Sequence, residues 1–247
     1  MRAYLSALLM TLCVSICATS QTADELVVKN IQARGGIEKI KAVQTCRATG
    51  KFSTGGGFAI TAAFTVDRMR PNLLRQGLTL QSMTQVETYD GSIGWQIQPF
   101  RGRKDPELMG EDDLRDLTID ADIDGPLVDY KEKGNTVEYL GHDIVDGDDA
   151  LRLKVTLKDA DIIYYYLDPD TYLEIRKETQ RFIRGSIKED ITDLGSYKPV
   201  AGVMYPFSMT FGPKGDPSSW ATVTLDKIEI NTGVDRSEFA VPASLKK

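Results

Sequence analysis

The chain has 247 residues, 30 basic and 36 acidic, for a net charge of −6 with 41% hydrophobic residues. An acidic chain whose densest basic stretch is Arg101-Gly102-Arg103-Lys104 argues against nucleic acid as its main partner. Beyond the first twenty residues every apolar run is short and interrupted, which argues against a transmembrane helix.

Arg2 precedes an apolar run over residues 3–16, and the small residues Ala18-Thr19-Ser20 follow, the layout of a secretory signal peptide. The run is too short to span a bilayer as a mature helix. The working protein is therefore expected to begin near Gln21, outside the cytoplasm and away from ATP. It would form one domain, residues 21–247, with 29 basic and 36 acidic side chains. Cys13 and Cys17 leave with the signal, and the bulky Ile16 argues against lipid attachment at Cys17. Cys46 is then alone, so no intramolecular disulfide forms and the fold depends on its apolar core.

Residues 24–44 carry a helical stripe at Val27, Ile31, Ile37 and Ile40, with a cap at Asp24 and a kink at Gly35-Gly36. From Cys46 the period changes to two. Ile60, Ala62, Phe64 and Val66 alternate with Thr61, Ala63, Thr65 and Asp67; Leu74, Leu78 and Leu80 face away from Arg75 and Thr79. Ile93, Trp95 and Ile97 repeat the pattern, as do Leu151, Leu153 and Val155, and then Tyr205, Phe207, Met209 and Phe211. Turn signals at Gly55-Gly56-Gly57, Asp90-Gly91, Asp146-Gly147, Asp168-Pro169-Asp170 and Gly212-Pro213 make consecutive strands antiparallel neighbours. Residues 105–133 break the rhythm with helical spacing at Leu108, Leu114 and Leu117, and read as two short inserted helices. The sum is a mainly β domain, with ten or eleven half-apolar strands in one curved sheet or barrel. A hollow interior and a packed core both remain open.

Catalytic chemistry finds little support. His142 is the single histidine and no Gly-x-Ser-x-Gly elbow accompanies it. One Cys and one His do not make a zinc site. Asp120-x-Asp122-x-Asp124-Gly125 opens like a calcium loop, but Lys131 stands where the bidentate acid belongs, so a solvated acidic loop is expected. No cofactor motif is present. Arg101, Arg103 and Lys104 fit a solvated loop or, less often, acidic phospholipid head groups. Tyr164-Tyr165-Tyr166 is apolar on both strand faces, as in a strand covered on both sides.

Arg70-Pro71-Asn72-Leu73, followed by Tyr89-Asp90-Gly91-Ser92-x-x-Trp95-x-x-x-Pro99-Phe100, resembles the periplasmic carriers of the Lol system, the LolA/LolB-like outer-membrane lipoprotein-sorting proteins. Leu167-Asp168-Pro169-Asp170-Thr171-Tyr172-Leu173, Gly202-Val203-Met204-Tyr205-Pro206-Phe207 and the closing Phe239-Ala240-Val241-Pro242 extend the resemblance over most of the mature chain. It implies an unclosed, strongly curved antiparallel barrel of about eleven strands, with an N-terminal helix and inserted lid helices. It implies a non-enzymatic periplasmic carrier that takes lipoprotein or lipid acyl chains toward the outer membrane, with donor and acceptor proteins at the membranes. The motif arginine, which in those carriers serves lid contacts and cargo transfer, falls on Arg70; on that footing Arg70→Leu is expected to impair handover more than folding. A sensor or scaffold of the same fold is the alternative, and a carboxylate hydrolase a third.

The candidate cargo-binding side chains come from the apolar faces: Phe64 and Val66, Leu74 and Leu78, Trp95 and Ile97, Tyr164 and Tyr166, and Tyr205, Phe207 and Met209, with Arg70 from the resemblance.

Overall fold

The computed structural model describes residues 21–55 and 59–246, so the expected signal peptide, with Cys13 and Cys17, and Gly56 and Gly57 of the expected glycine turn lie outside the described residues. Two helices open the fold, α1 (Ala23–Ala33) and α2 (Ile37–Ala42). Thr22, not Asp24, caps α1: its hydroxyl accepts from the Glu25 amide at 3.2 Å, and the Glu25 carboxylate accepts from the Thr22 amide at 2.9 Å. The expected kink is a full break. Gly35 has φ +120°, and a Cβ there would sit 2.2 Å from the Gly202 carbonyl oxygen, so only glycine permits this approach.

Six strands follow: β1 (Thr45–Thr54), β2 (Thr61–Met69), β3 (Leu73–Leu80), β4 (Met83–Tyr89), β5 (Gly94–Gln98) and β6 (Arg103–Leu108). After α3 (Glu111–Ala121) come β7 (Thr136–Val145), β8 (Asp148–Thr156), β9 (Ile162–Leu167), β10 (Glu174–Ile183) and β11 (Ser186–Gly195). A small separate hairpin, β12 (Lys198–Val200) with β13 (Val203–Tyr205), precedes β14 (Ser208–Pro213) and β15 (Ala221–Ile230).

Thirteen strands form one sheet in the order β6-β5-β4-β3-β2-β1-β15-β14-β11-β10-β9-β8-β7, each pair antiparallel. The first and last strands pair at its centre, and β6 and β7 are the free edges, so the sheet is unclosed. The count exceeds the expected eleven or so, and one of the added strands falls at the start of the segment expected to be helical. Residues 103–108 form edge strand β6, where Pro106 lacks an amide that no outer neighbour needs. Gly212-Pro213 closes β14, and the chain turns directly after it toward antiparallel β15. Of the two inserted helices only α3 exists; Leu127 and Val128 are buried, but in consecutive turns.

Residues 109–135 connect one edge strand to the other, so this segment crosses the concave side of the sheet. Two apolar clusters lie beneath. One joins Ile40 and Val43 to Cys46, Ala48, Val66, Leu74 and Leu117; the other seats Leu26 and Val27 of α1 on Leu151, Leu153, Val155 and Tyr165. Each fully buried aliphatic side chain contributes roughly 1.5–3 kcal/mol, which holds the helices to the sheet. Among the described residues no helix is long and apolar enough to cross a membrane.

Candidate functional site

Between the concave face and the crossing segment lies a hollow of about 660 Å³. That is within the range of about 300–1,000 Å³ usual for small-molecule sites. Strand register explains its wall. Phe64 opposes Leu78 and Leu78 opposes Gln85, while Val66, Gln76, Glu87 and Gln96 form the next row on the same face. At the centre of the sheet this face is apolar: Ala48 and Phe52 on β1, Phe64 and Val66 on β2, Met209 and Phe211 on β14, Val223 and Leu225 on β15. The Phe52 and Phe211 rings pack 6.4 Å apart at 51°.

The wall across from it is polar. Lys177, Thr179 and Arg181 on β10 and Lys188, Asp190 and Thr192 on β11 point inward, and α3 adds Asp116 and Asp120 beside Ile119. The hollow is therefore amphipathic, suited to a molecule with one oily and one polar part.

The crossing helix is fastened differently at its two sides. Leu114, Leu117 and Ala121 pack into the apolar cluster, and Gly94 makes room for Leu114, whose Cδ1 would stand 2.5 Å from a Cβ there. Toward the β10–β11 hairpin the contacts are ionic. Asp116 pairs with Arg181, Arg115 pairs with Asp161 and donates to the Phe182 carbonyl at 3.3 Å, and Asp112 accepts from Arg184 at 3.1 Å. Arg181 is 8% exposed, and burial pulls its pKa down; burial pushes the Asp161 carboxyl up.

Arg70 sits below this crossing, at its far end. Its Nη1 and Nη2 donate to the two carboxylate oxygens of Asp124 at 2.8 and 2.5 Å, and Nη2 and Nε also donate to the carbonyls of Ile40 and Val43. Lys41 donates to the same Asp124 carboxylate at 3.1 Å. Burial pushes Asp124 upward, but the hydrogen bonds from Arg70 and Lys41 outweigh it and hold the carboxyl below its ordinary range.

The calcium-like loop is occupied by the protein's own cations. Asp124 meets Arg70 and Lys41, Asp122 meets Lys133 at 2.5 Å, and the Asp120 carbonyl accepts from Arg68 at 2.8 Å. Among the described residues no group of three or more His, Cys, Asp or Glu side chains is placed to hold a metal. His142 is exposed and bonds Asp149 at 2.8 Å. Cys46 lines the hollow, and burial pushes its thiol pKa up, away from reactivity.

Of the twelve candidate residues, Phe64, Val66, Leu78, Tyr205 and Met209 line the hollow. Leu74 and Phe207 are buried in the cluster beside it, and Arg70 is the clamp just described. The other four face the opposite way. Trp95 and Ile97 lie on the outer face, under Val241 and Leu245 of the C-terminal segment, which Arg47 straps down through Asp67 and Glu238. Tyr164 and Tyr166 are also outside, stacked under the Arg152 guanidinium at 4.4 and 5.4 Å, while Tyr165 between them lines the hollow. Alternation alone gives no inward direction where both faces are covered. The polar wall was missed because charged strand positions read as solvent-facing.

No protein-family model matches the sequence, and neither does any curated protein. Solved structures do match in shape. A DUF1329 family protein from Desulfovibrio piger superposes with a TM-score of 0.63 at 12% identity, over 90% of this chain and 98% of that one. An outer membrane lipoprotein-sorting protein domain from Vibrio parahaemolyticus gives 0.60 at 12% identity, over 86% and 95%. A LolA superfamily protein from Nitrosomonas europaea gives 0.60 at 11%, over 90% and 99%. At these identities the likeness concerns the fold: an open, curved antiparallel sheet of the LolA kind.

Proposed function

We propose that this protein is an exported, non-enzymatic carrier that holds the acyl chain of a lipid or lipoprotein in its hollow and delivers it toward the outer membrane. The observation that carries the reading is the hollow itself: about 660 Å³, bounded by Phe52, Phe64, Met209 and Phe211 on one side and by Lys177, Arg181 and Lys188 on the other. An acyl chain gains about 0.8 kcal/mol for each methylene moved from water to the apolar wall, and the polar wall receives the head group. Binding of this kind needs no bond making. The signal-like first twenty residues support a periplasmic location, and the Vibrio structure, described as a lipoprotein-sorting domain, supports the cargo class.

Native mass spectrometry of protein purified from membrane-containing cells, followed by lipid extraction, tests the reading. An added mass that extracts as lipid and disappears in Met209→Asp is the expected result. Protein that carries no lipid and binds no added long-chain fatty acid rules the carrier out.

A further inference from the structure

The β10–β11 hairpin overshoots both of its neighbours. Pairing with β9 ends at Gln180↔Ile162 and pairing with β14 ends at Asp190↔Pro213, so residues 181–189 project past the sheet. On its outer side Phe182 and Ile187 are direct cross-strand partners, each 68% exposed. They are the two most exposed large apolar side chains among the described residues. No described residue covers them, while α3 braces the other side of the same hairpin through Arg181, Arg184 and the Phe182 carbonyl.

Antiparallel order fixes what shares that end of the sheet. The β5–β6 turn belongs there, with Phe100 41% exposed beside Arg101, Arg103 and Lys104. Arg184, paired with Asp112, flanks the projecting pair with its side chain 85% exposed. Arg101 and Lys104 make no ion pair among the described residues. Exposed apolar side chains also occur at the opposite end, at Ile93 and Ile144, but there the turns carry Asp90, Asp146, Asp148 and Asp168. Apolar exposure is thus common to both ends, and charge distinguishes them. In a chain of net charge −6, the projecting hairpin and the β5–β6 turn present Arg184, Arg101, Arg103 and Lys104, while the other turns at that end carry both signs, Lys158 with Asp159 and Lys214 with Asp216.

We infer that this end docks on an anionic lipid bilayer, with Phe182 and Ile187 inserted at the head-group boundary and Arg101, Lys104 and Arg184 over the lipid phosphates. The combination of a buried apolar pair and surrounding cations is what holds a peripheral protein reversibly, since neither contribution suffices alone. Arg181 and Lys188 line the hollow and stand on the same hairpin, so docking brings the rim of the hollow to the membrane. The inference goes beyond the carrier reading, because docking requires no cargo.

Flotation of the protein with vesicles of phosphatidylcholine alone, or with phosphatidylglycerol added, reads docking directly. The protein floats with the anionic vesicles, less so at high salt, and not with phosphatidylcholine alone. Phe182→Ser with Ile187→Ser weakens flotation at least about tenfold. Arg101→Gln with Lys104→Gln weakens it on the order of tenfold and flattens the salt dependence. Thermal melting of both variants stays at the parent value, since all four side chains are exposed or in an exposed turn. Equal flotation with both vesicle types, association only with native membranes that retain their proteins, or undiminished flotation of the Phe182/Ile187 variant overturns the inference. Each of these results is independent of whether lipid is found in the hollow.

Discussion

Arg70 grips both carboxylate oxygens of Asp124 and at the same time binds the carbonyls of Ile40 and Val43, so one side chain ties α2, the start of β3 and the segment after α3 together. Asp124 is nearly sealed, its side chain 4% exposed against 20% for Arg70. Removing Arg70 leaves that carboxylate with Lys41 alone. Arg70→Leu is expected to cost about 3 kcal/mol, the lower end for breaking a buried pair, because Lys41 remains. That corresponds to a fall of roughly 6–12 °C in Tm for a chain of this size. Changing Asp124→Leu as well restores part of the loss, and urea denaturation of the four proteins measures the coupling. The resemblance implies handover as the main casualty, and the clamp adds the expectation of a folding cost. A single variant as stable as the parent means that the clamp contributes nothing.

The same pair sets a pH dependence. The folded Asp124 carboxyl titrates below its ordinary value of 3.8, because Arg70 and Lys41 more than offset burial. When the folded value lies below the unfolded one, the stabilisation is complete above the unfolded value and disappears as pH falls through the folded value. The stability gap between the parent and Asp124→Asn is therefore constant from about pH 5 upward and narrows below about pH 4. Denaturation curves collected across that range check it; a gap that stays open at the acid end is the contrary result.

Sequence pattern carried the period of the strands and the turns at Asp90-Gly91 and Asp146-Gly147, because each depends on neighbouring residues; the openness of the sheet came only with the resemblance. Pattern did not carry the inward direction. Trp95 satisfies the same alternation as Phe64, and Tyr164 stands in a run that is apolar on both faces, yet the two are covered by the C-terminal segment and by Arg152, contacts that exist only in three dimensions. Nor did it carry the polar wall. Lys177 and Arg181 look like ordinary wet positions until β11 and α3 enclose them. The Arg70 clamp was visible only through a resemblance, whereas its acceptor Asp124 was read as part of an acidic loop.

The ionic side of α3 is expected to loosen selectively. Arg181 is 8% exposed and its partner Asp116 is 49% exposed, so losing that pair strands a buried guanidinium near Asp161, whose carboxylate lies 3.6 Å away. Asp116→Ala should weaken the docking of α3 by about 1.5 kcal/mol, the low end for a charged hydrogen bond because Asp116 is half in water. Hydrogen exchange across residues 111–121 then speeds up roughly tenfold. The Asp112–Arg184 pair is the internal control. Arg184 is 85% exposed, and surface pairs contribute little, so Asp112→Ala leaves the exchange of α3 unchanged. Equal acceleration in both variants means that exposure does not rank these contacts.

Phe64 and Tyr164 occupy opposite faces of the sheet, and that separation makes the site testable residue by residue. Phe64 lines the hollow beside Leu78 and Phe52, whereas Tyr164 lies outside beneath Arg152. Truncating Phe64→Ala removes apolar surface that an acyl chain would cover, worth about 1.5 kcal/mol of affinity, or roughly tenfold. Tyr164→Ala removes a ring from the outer surface and its contact with Arg152, so stability falls modestly while affinity for a fluorescent long-chain fatty acid holds. Titration of both variants with that probe decides the matter. If Tyr164→Ala weakens binding as much as Phe64→Ala does, the ligand does not occupy the concave side, and the hollow between β2, β14 and α3 is not where cargo rides.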